Sequence, residues 1–331
     1  MNFLREDIKV VFMGTPEFAK CSLEKLVESK YNVVGVFTNP DKPAGRGMKL
    51  RPSAVKEYAI KNNIPVYQPA KLRNNEEVMN ILKELKPDII CVVAYGKILP
   101  KEVLNFPRLG CVNVHGSLLP KYRGAAPMQW AIINGEEKTG ITTMYMDEGM
   151  DTGDMILKRE VEIGEDETTG ELWNRLSKIG GELLVETLRQ IEEGIAPRIK
   201  QGDDFSVAPM LDKEMAKIDW ESKNASEIKN LVRGLNPIMG AYSFINNKKI
   251  KFWKVDTLSF KDFASKFSIN IQNIENNENG TVLVSDSKKG LYIKAKDGIV
   301  DVIEIQGENA KKMNIQDFLR GNKIDFGKKF I

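Results

Sequence analysis

Two periods of apolar residues alternate along the first two-thirds of the chain. Residues 8–13 form a short apolar run, broken only by Lys9, that ends at Gly14-Thr15-Pro16. Behind it Phe18, Leu23, Leu26 and Val27 recur at helical spacing, and Thr15 before Pro16 reads as an N-cap with a first-turn proline. Residues 32–38 are a β-branched run. Ala54–Lys61 and Glu76–Leu85 read as helices, and residues 88–94 and 110–115 as apolar strands. Short strands without polar alternation, separated by helices, predict a mostly parallel sheet covered on both faces. In such sheets ligands bind at the carboxyl ends of the strands. The pattern continues through residues 139–147 and a long helix over Thr169–Glu192.

The texture changes after Gly194. Gly, Pro and Asp cluster between residues 194 and 209, and we read residues 195–213 as a linker. Residues 225–235 form a helix. Short apolar runs follow at 242–245, 250–255, 281–284, 291–295 and 299–305, separated by turn signals, which predicts a small β-barrel or β-sandwich. Residues 270–280, rich in Asn and Glu, read as an exposed loop. The expected organisation is a first domain over residues 1–194, the linker, and a smaller domain over 214–331.

Composition narrows the classes. A chain of 331 residues suits two domains. It has no apolar run long enough to span a membrane, its first residues do not read as a secretory leader, and its three cysteines, Cys21, Cys91 and Cys111, form no CxxC pair. These features predict a reducing, cytoplasmic setting. His115 is the single histidine, which excludes a two-histidine metal site and an HExxH hydrolase. The net charge of +3 is uneven: residues 214–331 hold 20 Lys+Arg against 15 Asp+Glu. A basic half suits a polyanionic partner, and it equally suits a solvated lysine surface. There is no GxxxxGK[ST], no GxGxxG after the first strand and no GxSxG.

What remains is Gly110-Cys111-Val112-Asn113-Val114-His115-Gly116. Strand alternation places Cys111, Asn113 and His115 on one face. An amide and an imidazole side by side at the carboxyl end of a strand need partners. They either bond loop backbone or line a site. A loop with four carboxylates follows, Met146-Asp147-Glu148-Gly149-Met150-Asp151-Thr152-Gly153-Asp154, whose spacing does not fit an EF-hand. Its glycines suggest a sharp fold that turns Asp151 inward rather than a solvated acidic turn. An Asn amide can donate to a developing oxyanion, a His can donate or move a proton, and an Asp can hold the His. That is a kit for direct acyl transfer to an amine. A Cys111–His115 nucleophilic pair is the rival, though a thiol flanked by valine in a strand suits a core residue better.

Several stretches carry a family resemblance. They are Val11-Phe12-Met13-Gly14-Thr15-Pro16-Glu17-Phe18-Ala19, Asn39-Pro40-Asp41-Lys42-Pro43-Ala44-Gly45-Arg46-Gly47, Val93-Ala94-Tyr95-Gly96, the run from Asn113-Val114-His115-Gly116-Ser117-Leu118-Leu119-Pro120 to Pro127, and Met150-Asp151-Thr152-Gly153-Asp154. Together they resemble the folate-dependent formyltransferase family over the whole chain. The Ala44-Gly45-Arg46-Gly47 loop and the size of the C-terminal segment resemble its tRNA-acting members.

The resemblance implies a Rossmann-like α/β catalytic domain followed by an OB-like barrel, acting as a monomer. The donor would be 10-formyltetrahydrofolate, with no metal. The acceptor would be the α-amino group of methionyl initiator tRNA, held by its acceptor stem. Asn113 and His115 would hold the oxyanion, and Asp151 would orient His115 and help take the amine proton. Ser117, Leu118, Leu119 and Pro120, with Val93, Ala94, Tyr95 and Gly96, would line the folate site. Lys42, Arg46, Lys49 and Arg51 form a basic loop suited to an RNA end. Lys248, Lys249, Lys251 and Lys254 form a basic cluster, with Lys248 and Lys251 as the candidate contacts. Alternation separates Lys248 from Lys249. A formyltransferase for a small amine, a formyltetrahydrofolate hydrolase, or an RNA-binding module on an inactive scaffold would leave some of these features unused.

Overall fold

The computed structural model describes residues 8–44 and 49–331, the side chains of Ala44 and Lys49 excepted. The chain divides into two compact units. One comprises Met1–Pro127, Lys138–Glu162 and Trp173–Pro209, and the other Met128–Glu137, Ile163–Leu172 and Met210–Ile331.

The first unit begins with strand β1 (Lys9–Gly14), helix α1 (Glu17–Glu28) and strand β2 (Asn32–Phe37). A short antiparallel pair follows, β3 (Lys42–Ala44) and β4 (Lys49–Arg51), then helix α2 (Ala54–Lys61) and strand β5 (Val66–Tyr67). Helix α3 (Glu76–Leu85), strand β6 (Ile89–Val93), helix α4 (Lys101–Leu104) and strand β7 (Cys111–His115) continue the alternation. After β8 (Arg123–Gly124) and helix α5 (Pro127–Ile133) come strands β9 (Lys138–Tyr145) and β10 (Met155–Glu162), the long helix α6 (Thr169–Glu192), and β11 (Val207–Ala208); α5 beyond Pro127 and the start of α6, to Leu172, belong to the second unit.

The main sheet is 7-stranded in the order β10-β9-β7-β6-β1-β2-β5. Its pairs from β7 to β5 are parallel, and β9 and β10 are added antiparallel. β6 reads Ile-Ile-Cys-Val-Val and is buried at every position because both faces are covered. The outer half of the edge strand β10 alternates between half-buried and exposed. The chain leaves β1 toward β2 and later returns on the other side of β1 with β6, so the strand order reverses between β1 and β6. A crevice at the carboxyl ends is expected there. Helix α6 lies close to α1 because Gly181 has no side chain: a Cβ there would stand 3.0 Å from Cys21 O.

Thr15 does not cap α1. The cap position is Pro16, with no side-chain bond, and the Thr15 hydroxyl donates instead to Tyr95 O at 3.3 Å. Residues 195–209, read above as linker, run along the first unit. Ile199 exchanges backbone bonds with Met155 at 2.8 and 2.9 Å, and β11 pairs parallel with β8.

The second unit contains helix α7 (Ala225–Gly234), strands β12 (Ala241–Ile245) and β13 (Lys248–Leu258), helices α8 (Phe260–Phe267) and α9 (Ile271–Glu275), strands β14 (Val282–Asp286), β15 (Gly290–Lys294), β16 (Ile299–Gln306) and β17 (Met313–Asn314), and helix α10 (Ile315–Gly321). The strands are antiparallel in the order β12-β13-β16-β15-β14, with β17 on β16. Residues 327–331 join the two edges. Ile331 exchanges backbone bonds with Phe244 of β12 at 2.9 Å, while Phe330 donates to Gly280 O and Gly327 to Val282 O, both at 2.9 Å. The sheet therefore closes as a barrel rather than a sandwich. Phe330, Trp220 and Phe252 pack inside with ring centroids 5.5–6.0 Å apart. The stretch expected as a loop at 270–280 includes α9. The preceding helix α8 left no trace in the sequence reading, since its Phe263 and Phe267 pack on a satellite core with Tyr292 rather than on the barrel axis.

Candidate active site

The site is assembled on β7 and the loop between β9 and β10. Cys111 faces the core beneath α4, with Sγ 3.8 Å from Val103 O and 3.6 Å from Leu104 O, and burial pushes its thiol up to about 12. It is therefore a neutral core residue at physiological pH, and no nucleophile. Two residues on along the same face, Asn113 is half-buried.

His115 is 5% exposed, with Nε2 2.9 Å from Tyr122 O. A carbonyl can only accept, so Nε2 carries a proton and donates. Nδ1 then faces Asp151 Oδ2 at 3.6 Å. The ring's orientation is set mainly by the Tyr122 carbonyl, and the carboxylate stands beside the remaining nitrogen.

Asp151 reaches this position by an indirect path. β9 ends at Tyr145, opposite Val112 and away from His115. The loop then folds back. Asp147 Oδ1 accepts from Gly149 N at 3.0 Å and from the Thr152 hydroxyl at 2.6 Å, which braces the turn. A Cβ on Gly153 would lie 1.7 Å from Tyr145 O, so only glycine fits. Asp151 itself takes φ +55°, in the left-handed region. Its Oδ2 accepts from Gly124 N at 2.8 Å, and its Oδ1 lies 3.5 Å from Asn113 Nδ2. Asn113, His115 and Asp151, far apart in sequence, thus meet with the carboxylate turned inward.

Beside them is a cleft of about 160 Å³, lined among others by Ile98, Leu99, Met144, Met146 and Asp151, with Lys97 as its cation. Apolar walls around a few polar groups are what a flat heterocyclic ligand needs. The loop of Val93, Ala94, Tyr95 and Gly96 lies at the β1/β6 reversal. Tyr95 O accepts from Asn39 Nδ2 at 2.8 Å, which ties this loop to the end of β2. Val93 and the Tyr95 ring are buried, while Ala94 and Gly96, both at positive φ, are exposed. In the second candidate segment Ser117 and Leu119 are fully buried: Ser117 Oγ donates to Lys121 O at 2.7 Å and Leu119 packs with Met144 and Met155. Leu118 and Pro120 are half-buried. Lys158 Nζ donates to Leu119 O.

The basic candidates fall into three groups. Lys42 and Arg51 are exposed and face each other across the β3–β4 pair. Arg46 and the side chain of Lys49 lie outside the described residues. In the second unit Lys248 is exposed at the start of β13, in the same alternation as the buried Ile250 and Phe252. Lys251 belongs to the other face, where its Nζ donates to Met239 O at 2.8 Å and lies 5.6 Å from the Trp253 ring. Lys249 shares that face, with Nζ 3.4 Å from the centroid of the Tyr242 ring. The structure thus groups Lys249 with Lys251 and separates both from Lys248.

Sequence reasoning missed the Tyr122 carbonyl, the Gly124 amide and Gln201, whose Nε2 donates to Asp151 O at 2.8 Å and Gly153 O at 2.9 Å. Two of these are backbone groups, and the third is an isolated glutamine in a loop; no motif marks them. Among the described residues no group of three or more His, Cys, Asp or Glu is placed to hold a metal, and no helix is long and apolar enough to cross a membrane.

Comparison with known proteins finds two family matches along the chain. Residues 8–188 match the formyl transferase family, and residues 210–323 match the formyl transferase C-terminal domain. A methionyl-tRNA formyltransferase of Clostridioides difficile (strain 630) is 51% identical over 97% of this chain and 99% of its own length. One from Clostridium novyi (strain NT) is 51% identical over 96% and 98%. Among solved structures, WlaRD, a sugar 3N-formyl transferase, matches with a TM-score of 0.61 at 21% identity, covering 93% of this chain and 98% of that one. HypX from Aquifex aeolicus in complex with tetrahydrofolic acid matches with a TM-score of 0.59 at 17% identity, covering 96% and 50%. At these identities the structures show a shared fold.

Proposed function

The chain belongs to the formyl transferase family, among its methionyl-tRNA formyltransferases, and on that premise we propose how its residues carry the reaction. It transfers a formyl group from a formyl-tetrahydrofolate donor to methionyl-tRNA. The folate supplies a one-carbon group on nitrogen. The methionyl α-amino nitrogen attacks the formyl carbon, the bond from that carbon to the folate nitrogen breaks, and the proton lost by the amine ends on the folate nitrogen.

The observation that supports our reading of the residues is the meeting of Asn113, His115 and Asp151 beside a cleft, with separations of 3.5 and 3.6 Å. The Asn113 amide donates to the formyl oxygen as it becomes negative. His115 has Nε2–H committed to Tyr122 O, so it acts through Nδ1: once protonated there, it donates to the same oxygen or to the leaving nitrogen. Asp151, anchored on Gly124 N by one oxygen, keeps the other for the amine and offsets the positive charge on the imidazole. We read Ala94, Gly96, Leu118 and Pro120 as the parts of the two folate segments open to the donor. Lys42 and Arg51 meet the acceptor stem of initiator tRNA, and the lysines of β13 meet its backbone.

The test compares formyl transfer from 10-formyltetrahydrofolate to charged initiator tRNA, to free methionine, and to water. Transfer to the charged tRNA alone is expected, with a KM for tRNA that rises with salt. Equal rates on free methionine would place the chain among small-amine formyltransferases, and a salt-independent KM would remove the role of the lysines.

A further inference from the structure

Gln201 uses both amide protons and its oxygen beside the site. Nε2 donates to Asp151 O at 2.8 Å and to Gly153 O at 2.9 Å, while Oε1 accepts from Arg123 Nε at 2.9 Å. The amide cannot be turned over: reversed, its oxygen would face two carbonyl oxygens and its nitrogen a guanidinium. It therefore grips the two carbonyls flanking Thr152 with one end and the residue next to Gly124 with the other. The Asp151 carboxylate joins the same two segments, through Gly124 N at 2.8 Å. The two bridges run side by side.

The second bridge has a physical purpose. Asp151 holds φ +55°, in the left-handed region, which costs an L-residue some backbone strain even where, as for Asp, it is tolerated. Asp147 and Gly153 determine how the loop turns. Neither ties Asp151 to the 122–124 segment. Gln201 does so, from the stretch that Ile199 pins to Met155 and β11 pins to β8. We propose that Gln201 is a positioning residue for formyl transfer, holding the Asp151 loop so that the carboxylate stays on Gly124 and beside Asn113 and His115. This rests on the catalytic reading of Asp151 given above.

The experiment uses the full chain with Gln201→Glu and Gln201→Met, which keep the side chain's length and remove the two donated bonds, alongside Asp151→Asn and the Gln201→Glu/Asp151→Asn double variant. Thermal unfolding identifies folded variants, and the methionine variant serves if the glutamate variant does not fold. A displaced catalytic group costs up to about 100-fold in rate. We expect kcat to fall by about 10- to 100-fold with KM for both substrates held within about twofold, since the polar atoms of the Gln201 side chain are all engaged within the protein. In the double variant the loss should equal that of Asp151→Asn alone, because Gln201 acts through Asp151. An unchanged kcat in Gln201→Glu, a rise in KM without loss of kcat, or losses that multiply in the double variant would each overturn the proposal. If Asp151→Asn itself retains full activity, the reading of the site fails, which is a separate result.

Discussion

Removing His115 and removing Asn113 should have the same effect on rate and different effects on stability. Loss of one oxyanion donor lowers kcat by roughly 10²–10³, about 2.7–4 kcal/mol, for either alanine variant. The folded states differ. His115 is 5% exposed and is the donor to Tyr122 O, at 2.9 Å. His115→Ala takes that donor from a buried carbonyl, a penalty of about 1–3 kcal/mol. The Asn113 amide sits half-buried at the open side of β7, and its bond to Asp151, at 3.5 Å, is at the limit of a hydrogen bond. Asn113→Ala should therefore change stability by less than about 0.5 kcal/mol. The assay pairs steady-state formyl transfer at saturating donor and charged tRNA with denaturant unfolding of each variant. Near-normal turnover by Asn113→Ala would refute its role at the oxyanion. Equal stability of the two variants would show that the imidazole does not hold the Tyr122 carbonyl, and with it would go the argument that Nδ1 is the working nitrogen.

Two further outcomes follow from the titratable groups. Because burial keeps the Cys111 thiol un-ionised, Cys111→Ala should leave kcat within about twofold of wild type, and alkylation at neutral pH should spare Cys111 in the folded protein; loss of activity on either treatment would revive the thiol mechanism. In the barrel, burial holds the Asp301 carboxyl above its ordinary range. Its folding contribution is thus favourable below the unfolded value of about 3.9 and is lost as pH rises through the folded value, so the ionised carboxylate is a cost at pH 7. Asp301→Asn should raise the unfolding temperature at pH 7, and the gain should vanish near pH 3. A destabilised variant at pH 7 would show that the attraction to Lys266 outweighs burial.

Strands β1, β2, β6 and β7 were legible because cover on both faces leaves a mostly apolar run, a feature of composition that needs no partner to be seen, whereas β5, two residues long, and the edge strand β10, whose outer half alternates between half-buried and exposed, were not read. The same holds for Asn113 and His115: two polar side chains at alternate positions on such a strand stand out against Val112 and Val114 beside them. The chain also contained, in plain order, the glycines that force the Asp151 loop and the aromatic and branched residues of the barrel strands. Residues 41–51 and 195–213 were read as loop and linker because β3, β4 and β11 are two or three residues long, too short for any period to register. Helix α8 escaped for a related reason, since its apolar side faces a small satellite cluster instead of the main core.

Sequence alone, then, determined the alternating α/β order, the β-rich second unit and the face that bears the amide and imidazole, because each depends on the local pattern of residues that must leave water. Only the tertiary structure decided that the β9–β10 loop doubles back to bring Asp151 to His115, that the Tyr122 carbonyl sets the imidazole's proton, that Gln201 clamps the loop, and that residues 327–331 close the barrel. Those outcomes rest on hydrogen bonds between groups remote in the chain, many of them backbone groups that every residue carries alike, and their pairing exists only once the chain has folded.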